Sequence, residues 1–260
     1  MAFKLTLALS LTMYAVSMAA VLPKRVVGGD TAELGEFPFI VSVLYRGGHS
    51  CGGSLLDSTT VLTASHCIMN LTGPYPAHVF QVRAGSLDRD SGGRVVNVSK
   101  AIMHPGYNTT NFDNDIAVMK LSEPIQEHYP SISYMRNMPD EGSDPSPNST
   151  VTVAGWGITG NGQLAEHLQR VEMPIVSREA CQKSYDKAKF PFPITENKVC
   201  AGSEGKTGCE ADSGGPLVKK DTGELIGVVS HGSDMKCDAP GSFGAYVRVA
   251  NYHSFIKENM

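Results

Sequence analysis

The sequence predicts an all-β fold, and three observations carry that expectation. Eight short runs of β-branched or aliphatic residues recur along the 260-residue chain, each bounded by Gly, Pro, Asn, Asp or Ser. Helical spacing of apolar residues is found in two places, after Ser177, which can cap a helix running through Cys181, and in a terminal segment where Val249, Tyr252 and Ile256 share one face. Short strands at even intervals with few helices between them indicate a sandwich or barrel.

The runs are Phe39–Leu44, Ser54–Leu56, Thr60–Leu62, Phe80–Ala84, Arg94–Val98, Ala117–Leu121, Thr150–Ala154 and Leu225–Val229. Residues 136–149 form a polar passage with three prolines, which reads as a connection between two packed units. A composition of 41% hydrophobic residues allows a sizeable core, in one domain or two small packed ones.

At the start of the chain, Lys4 precedes a mostly apolar run from Leu5 to Val16 that ends in the small residues Ser17, Ala19 and Ala20. Charge, apolar length and small-residue exit are those of a secretory signal peptide, and the run is too short to span a bilayer. We assign residues 1–19 to the signal peptide, 20–25 to a pro-segment cut after Lys24-Arg25, and 26–260 to the functional domain. The protein is thus expected to be secreted and extracellular. Removing residues 1–25 shifts the formal net charge from −4 to about −7, which leaves no basic footprint for nucleic acid. No later stretch is long and apolar enough for a membrane helix.

The chemistry centres on Cys209-Glu210-Ala211-Asp212-Ser213-Gly214-Gly215-Pro216. Glycines after Ser213 leave its hydroxyl uncrowded and let backbone N–H groups turn toward one point. Alone, Ser-Gly-Gly-Pro is also an ordinary turn. Upstream, however, Thr63-Ala64-Ser65-His66-Cys67 offers a histidine among small residues, and Asn114-Asp115-Ile116-Ala117-Val118 offers an aspartate opening an apolar strand. His66, Asp115 and Ser213 stand in that order, 49 and 98 residues apart, one of three chain orders known for a base, orienting acid and nucleophile. The order also disfavours a lipase or esterase.

Seven motifs in sequence, Val26-Val27-Gly28-Gly29, Cys51-Gly52-Gly53-Ser54, Thr63 to Cys67, Asn114 to Ala117, Gly155-Trp156-Gly157, Asp212 to Pro216 and Tyr246-Val247-Arg248-Val249, resemble the trypsin/chymotrypsin-like serine proteases. The resemblance covers nearly everything after residue 25. It implies two packed antiparallel six-stranded β-barrels with a short C-terminal helix, barrel one over about 26–135 and barrel two over about 136–260.

The same resemblance implies the roles. His66 accepts the Ser213 proton and Asp115 orients it. Backbone N–H groups of Ala211 and Ser213 form the oxyanion hole, and Ser230 lies near Asp115 and the substrate backbone. Thr207, Gly232 and Gly244 line the primary pocket. Cleavage after Arg25 frees Val26, whose ammonium pairs with Asp212. It also implies disulfides Cys51–Cys67, Cys181–Cys200 and Cys209–Cys237, whereas six cysteines alone allow 15 connectivities. Cysteine spacing gives no zinc knuckle. The expected partners are protein or peptide substrates and protein protease inhibitors, with no cofactor, metal, nucleic acid or membrane, and with the protein a monomer.

Three positions depart from the family pattern. Ala211 stands where glycine is usual, and a methyl group there costs about 1–2 kcal/mol if the position needs positive φ. A displaced oxyanion donor would cost about 2.7–4 kcal/mol of transition-state stabilisation, so a weakly active or non-catalytic binding protein is the alternative reading. Thr207 replaces the aspartate of tryptic enzymes, giving a neutral, chymotrypsin-like pocket whose rim carries Lys206 and Glu210. His231 replaces a cleft-lining tryptophan.

Other features have plainer readings. Gly155-Trp156-Gly157-Ile158-Thr159-Gly160 satisfies G-x-G-x-x-G, follows a strand and precedes a helix-compatible stretch, but strands without alternating helices do not make a dinucleotide fold. Sequons at Asn70, Asn97, Asn108 and Asn148 imply exposed loops and a glycoprotein. His49, His78, His128, His167 and His253 are expected on strand ends, loops or helix faces with no acid or serine placed for them.

Overall fold

A computed structural model describes residues 29–70, 72–159, 162–188, 191–203, 212–232 and 241–260. The signal and pro-segment residues, Arg25 and Val26 among them, lie outside these, as do Lys206, Thr207, Cys209, Glu210, Ala211 and Cys237.

The strands are β1 (Asp30–Thr31), β2 (Ile40–Tyr45), β3 (Gly48–Leu55), β4 (Thr60–Thr63), β5 (Met69–Asn70), β6 (Gly73–Pro74), β7 (Phe80–Ala84), β8 (Arg94–Met103), β9 (Ala117–Leu121), β10 (Thr150–Gly155), β11 (Gln169–Val176), β12 (Lys198–Ala201), β13 (Pro216–Lys219), β14 (Leu225–Gly232) and β15 (Gly244–Arg248). β2-β3-β4-β9-β8-β7 closes into an antiparallel barrel. β11-β10-β13-β14-β15-β12 closes through the β11–β12 pairing into a second, to which β1 adds at β11. Two six-stranded barrels with short helices at Arg178–Tyr185 (α1) and His253–Asn259 (α2) are therefore the architecture.

Alternation drives both closures. In β7 the Phe80, Val82 and Ala84 side chains point inward, and in β11 Gln169, Val171, Met173 and Ile175 are buried while their neighbours are not. Barrel one fills with Val41, Val43, Leu55, Phe80, Val82, Val96 and Val118, and barrel two with Val151, Val153, Val171, Ile175, Leu217 and Tyr246. Val249, Tyr252 and Ile256, at the end of the chain, pack into the core of barrel one, while β1, near its start, pairs with barrel two. The two ends thus cross between barrels. Ser177 caps α1 by accepting the Ala180 N–H at 3.2 Å.

Several expectations need correction. Gly155 to Gly160 does not lead into a helix, because Ile158 bridges to Leu164 and Thr159 N–H donates to Gln163 O, closing a turn. Asn97 lies within β8, paired with Gln81, and Asn70 within β5, so these two sequons are on strands rather than loops. Gly48-His49-Ser50-Cys51-Gly52 fits G-x-S-x-G, yet runs within β3 and not at a strand-to-helix elbow. Among the described residues the disulfides Cys51–Cys67 and Cys181–Cys200 are formed, and the expected Cys209–Cys237 pair lies outside them. No described helix is long and apolar enough to cross a membrane.

Candidate active site

The site lies where the two barrels meet. β4 ends at Thr63, Ala64 stays extended, and residues Ser65–Ile68 form a single 3-10 turn that carries His66. Two ties hold this turn: Cys67 is bonded to Cys51 of β3, and Ser65 Oγ–H donates to Ile116 O at 2.7 Å. Asp115 precedes β9 and is 0% exposed. Its Oδ1 accepts the His66 backbone N–H at 2.9 Å, and its Oδ2 accepts from His66 Nδ1 at 2.7 Å and from Ser230 Oγ at 2.6 Å.

Burial alone would raise the Asp115 pKa, but the charge of His66 and the converging hydrogen bonds outweigh it and hold the carboxyl below its ordinary range. For His66 burial opposes protonation, while the charge of Asp115 and its hydrogen bond prevail and raise the ring above its ordinary 6.5. With Nδ1–H given to Asp115, Nε2 carries the lone pair. Nε2 lies 3.8 Å from Cys67 Sγ, and Cys51, His66 and Cys67 are clustered, but both sulfurs are spent in the disulfide and neither is a thiolate ligand.

Ser213 comes from barrel two on the tight turn before β13. Gly215 N–H donates to Asp212 O at 2.9 Å, Gly214 N–H to Val229 O at 2.8 Å, and Gly52 N–H of barrel one to Ser213 O at 2.8 Å. Gly214 has φ +79°, and a Cβ there would sit 2.2 Å from Thr63 Oγ1 and 3.2 Å from Ala64 N. Only glycine permits both the conformation and the contact. The residue after Ser213 is thereby pressed against the strand end that leads into His66. Among the described residues no hydrogen bond joins Ser213 Oγ to His66, a contact that commonly tightens on substrate binding.

Asp212, 2% exposed, turns the other way and accepts the Gly157 N–H on Oδ1 at 2.8 Å. A Cβ on Gly155 would lie 2.1 Å from that oxygen. Of the first two glycines of the G-x-G-x-x-G run, Gly155 therefore makes room for the carboxylate and Gly157 donates its N–H to it. Gly155→Ala should displace the buried charge and lower stability by about 3 kcal/mol or more, read as a fall in the denaturant midpoint. An unchanged midpoint would show that the carboxylate moves without cost.

An aromatic wall with no signature in local sequence stands where the barrels meet. Phe112 is edge-on to His66 at 6.2 Å and stacked on His231 at 5.0 Å, and Phe192 and Tyr185 meet His231 at 5.5 and 5.6 Å. Phe112 and Asn114 have φ +55° and +54°, so the loop before Asp115 is held in a conformation that non-glycine residues seldom adopt. Besides the Asn108–Asp113 bridge and the Asn114–Gly106 hydrogen bond on its own side, it is anchored from barrel two. Thr195 Oγ1–H donates to Asp113 at 2.7 Å, and Lys198, 2% exposed, donates from Nζ to Asn111 O at 2.7 Å. Burial lowers the Lys198 ammonium to about 8, although Asp113 and Asp115 oppose this. A lysine in a strand gives no sequence signal of such a role.

Of the specificity positions, Gly232 and Gly244 are register partners across β14 and β15, and Thr207 and Ala211 are outside the described residues. Two of the histidines set aside above do have partners. His49 Nδ1 lies 2.7 Å from Ser42 Oγ, and His167 Nδ1 lies 2.6 Å from Asp88 Oδ1. Strand pairing β2–β3 causes the first and the Asp88–His167 bridge the second, neither of which is visible in local sequence.

Comparison with known proteins gives the family. The Trypsin family model matches residues 26–256. Trypsin Blo t 3 of Blomia tropicalis is 37% identical over 89% of this chain and 85% of its own length. Trypsin beta of Drosophila erecta is 35% identical over 92% and 89%, and a vitellin-degrading protease of Bombyx mori 34% over 91% and 86%. With the two-barrel fold and the histidine held on a buried aspartate beside a serine turn, the family match over residues 26–256 leads to one assignment: this chain belongs to the trypsin family of serine proteases.

Proposed function

We propose that the protein is a secreted serine endopeptidase, made as a zymogen and activated by cleavage after Arg25, with a chymotrypsin-like preference. The observation that carries the proposal is Asp115, buried and fixed by three hydrogen bonds, with His66 oriented so that Nε2 is free to take a proton. In this reading His66 Nε2 takes the Ser213 hydroxyl proton as Oγ bonds to the scissile carbonyl carbon. The proton passes to the leaving amine as the C–N bond breaks, and water then hydrolyses the acyl-enzyme by the same route. Backbone N–H groups of Ala211 and Ser213 hold the oxyanion, and Val26 pairs with Asp212 after activation.

The pH dependence follows in sign. His66 must be neutral to accept a proton, and its pKa is raised above 6.5. Activity is therefore full above the raised value and lost as pH falls through it, so the acid limb of kcat/KM should lie above 6.5. An acid limb well below that would contradict the Asp115 coupling.

Specificity is inferred from Thr207, which offers no carboxylate to a lysine or arginine side chain, and from the paired Gly232 and Gly244, which leave room for a large apolar one. The asparagines Asn70, Asn97, Asn108 and Asn148 are proposed as glycan acceptors on the secreted form. The test is a panel of peptide amides differing only before the scissile bond. We expect Phe, Tyr or Leu to be cut at least about tenfold faster than Arg or Lys, a difference of about 1.4 kcal/mol. A preference for Arg would overturn the neutral pocket and, with it, the expectation that a separate protease cuts after Arg25.

A further inference from the structure

The hydrogen bonds at Asp115 continue one residue beyond those described. Ser230 Oγ lies 2.6 Å from Asp115 Oδ2 and 3.0 Å from His231 Nδ1. The hydroxyl has one proton, and the ionised carboxylate can only accept. Ser230 must therefore donate to Asp115, since two oxygens 2.6 Å apart with no proton between them would repel. That leaves Ser230 Oγ as the acceptor toward His231, which must carry its proton on Nδ1. The tautomer is thus set by proton count.

The rest of the ring agrees. With Nδ1 protonated, Nε2 is a bare lone pair, and it is buried without a hydrogen-bond partner among the described residues. An imidazolium would place an N–H donor there, also unpaired. The groups facing the ring are the Lys198 ammonium from β12, Tyr185 from α1, Phe112 from the loop before Asp115, and Asp115 and His66 across the barrel junction. Burial first, then Lys198, lowers the His231 pKa to about 3, against the pull of Asp115, so the ring stays neutral through the working range.

The geometry points to His231 as a positioning residue: it donates from Nδ1 into Ser230, polarises that hydroxyl toward Asp115, and so tempers the hold of Asp115 on the His66 proton. The inference builds on the reading of His66 as general base. Its physical content, however, is a property of the folded chain. Donors in series strengthen one another, by roughly 10–30% per bond. Without the His231 donor, the bond from Ser230 weakens, Asp115 becomes more basic, and His66 holds its proton to higher pH.

The experiment titrates the His66 ring by NMR in the activated protein and three variants, and needs no turnover. His231→Phe keeps an aromatic ring against Phe112 and Phe192 but removes Nδ1–H. His231→Asn places an amide N–H where Nδ1–H was, and His231→Gln places it where Nε2 was. We expect His66 to titrate higher in the Phe and Gln variants by about 0.2–0.6 of a pH unit, and in the Asn variant at the parental value. Should the Phe variant not fold, the Gln variant carries the comparison: it should shift His66 upward with Ser230 present, whereas in a Ser230→Ala background His and Gln at 231 should give the same His66 titration, and a His-to-Gln difference that persists there would overturn the inference. A His66 titration in the Phe variant within 0.1 unit of the parent, or an Asn variant no closer to the parent than the Gln variant, would overturn the inference. Hydrolysis by the parent, measured alongside, tests the peptidase reading separately.

Discussion

Ser213→Ala should reduce kcat for peptide amides by about 10⁶-fold, the scale found when the nucleophile is removed from a serine protease of another fold. The variant should fold normally, because the bonds that place this turn are made by its backbone: Ser213 O receives Gly52 N–H, and Gly214 and Gly215 donate to Val229 and Asp212. The alanine methyl occupies space the serine side chain already fills. KM should change little, since the hydroxyl contributes to the transition state rather than to ground-state binding. Equal residual rates in parent and variant would remove the peptidase reading and favour a binding protein that keeps the protease fold.

Asp115→Asn should cost about 10⁴-fold in kcat, the magnitude seen for this substitution in the family's template enzyme. Here the reason can be followed atom by atom. Three donors converge on two carboxylate oxygens: His66 N–H on Oδ1, and His66 Nδ1–H with Ser230 Oγ–H on Oδ2. An amide has one oxygen and one NH2. If the oxygen stays at the Oδ2 position, the NH2 meets the His66 backbone N–H, donor against donor. If the amide flips, the NH2 donates to His66 Nδ1 and forces the ring proton onto Nε2, where it cannot accept from Ser213. The loss is equivalent to about 5.4 kcal/mol of barrier. A fall of less than tenfold would mean that Asp115 does not set the tautomer.

Much of barrel one was legible in sequence, and less of barrel two. Phe80–Ala84 and Ala117–Leu121 have the bounds that their apolar pattern implies. Arg94–Val98 extends to Met103 beyond a register shift after Val98, where alternation is lost. β11 is hard to see in sequence because Arg170, Glu172 and Pro174 separate its buried residues Gln169, Val171, Met173 and Ile175. β12 carries Lys198 into the interior, and a charge at a core position argues against a strand until its partners, the carbonyls of Asn111 and Pro193, are in view. β13 and β15 are short and follow glycine-containing turns, so local propensity gives little weight to either.

The site divides in the same way. His66, Asp115 and Ser213 stand out because each sits in a motif of small residues or at a strand opening. Phe112 and Lys198 acquire their roles only when the loop before Asp115 packs across onto barrel two, and Ser230 meets Asp115 only across the same junction. No local pattern encodes that contact. The His49–Ser42 and His167–Asp88 pairs are instructive in reverse, since each is a histidine with a partner created by strand pairing alone.

The central claim is that Ser213 is a nucleophile activated by His66 and Asp115. The most direct measurement is to treat protein whose amino terminus has been sequenced as Val26 with a serine-directed organophosphonate, and to map the adduct by mass spectrometry. One adduct is expected, on Ser213, absent from Ser213→Ala and formed far more slowly in Asp115→Asn. Protein with that amino terminus that takes up no label at Ser213, or labels equally fast with Asn at 115, would contradict the claim.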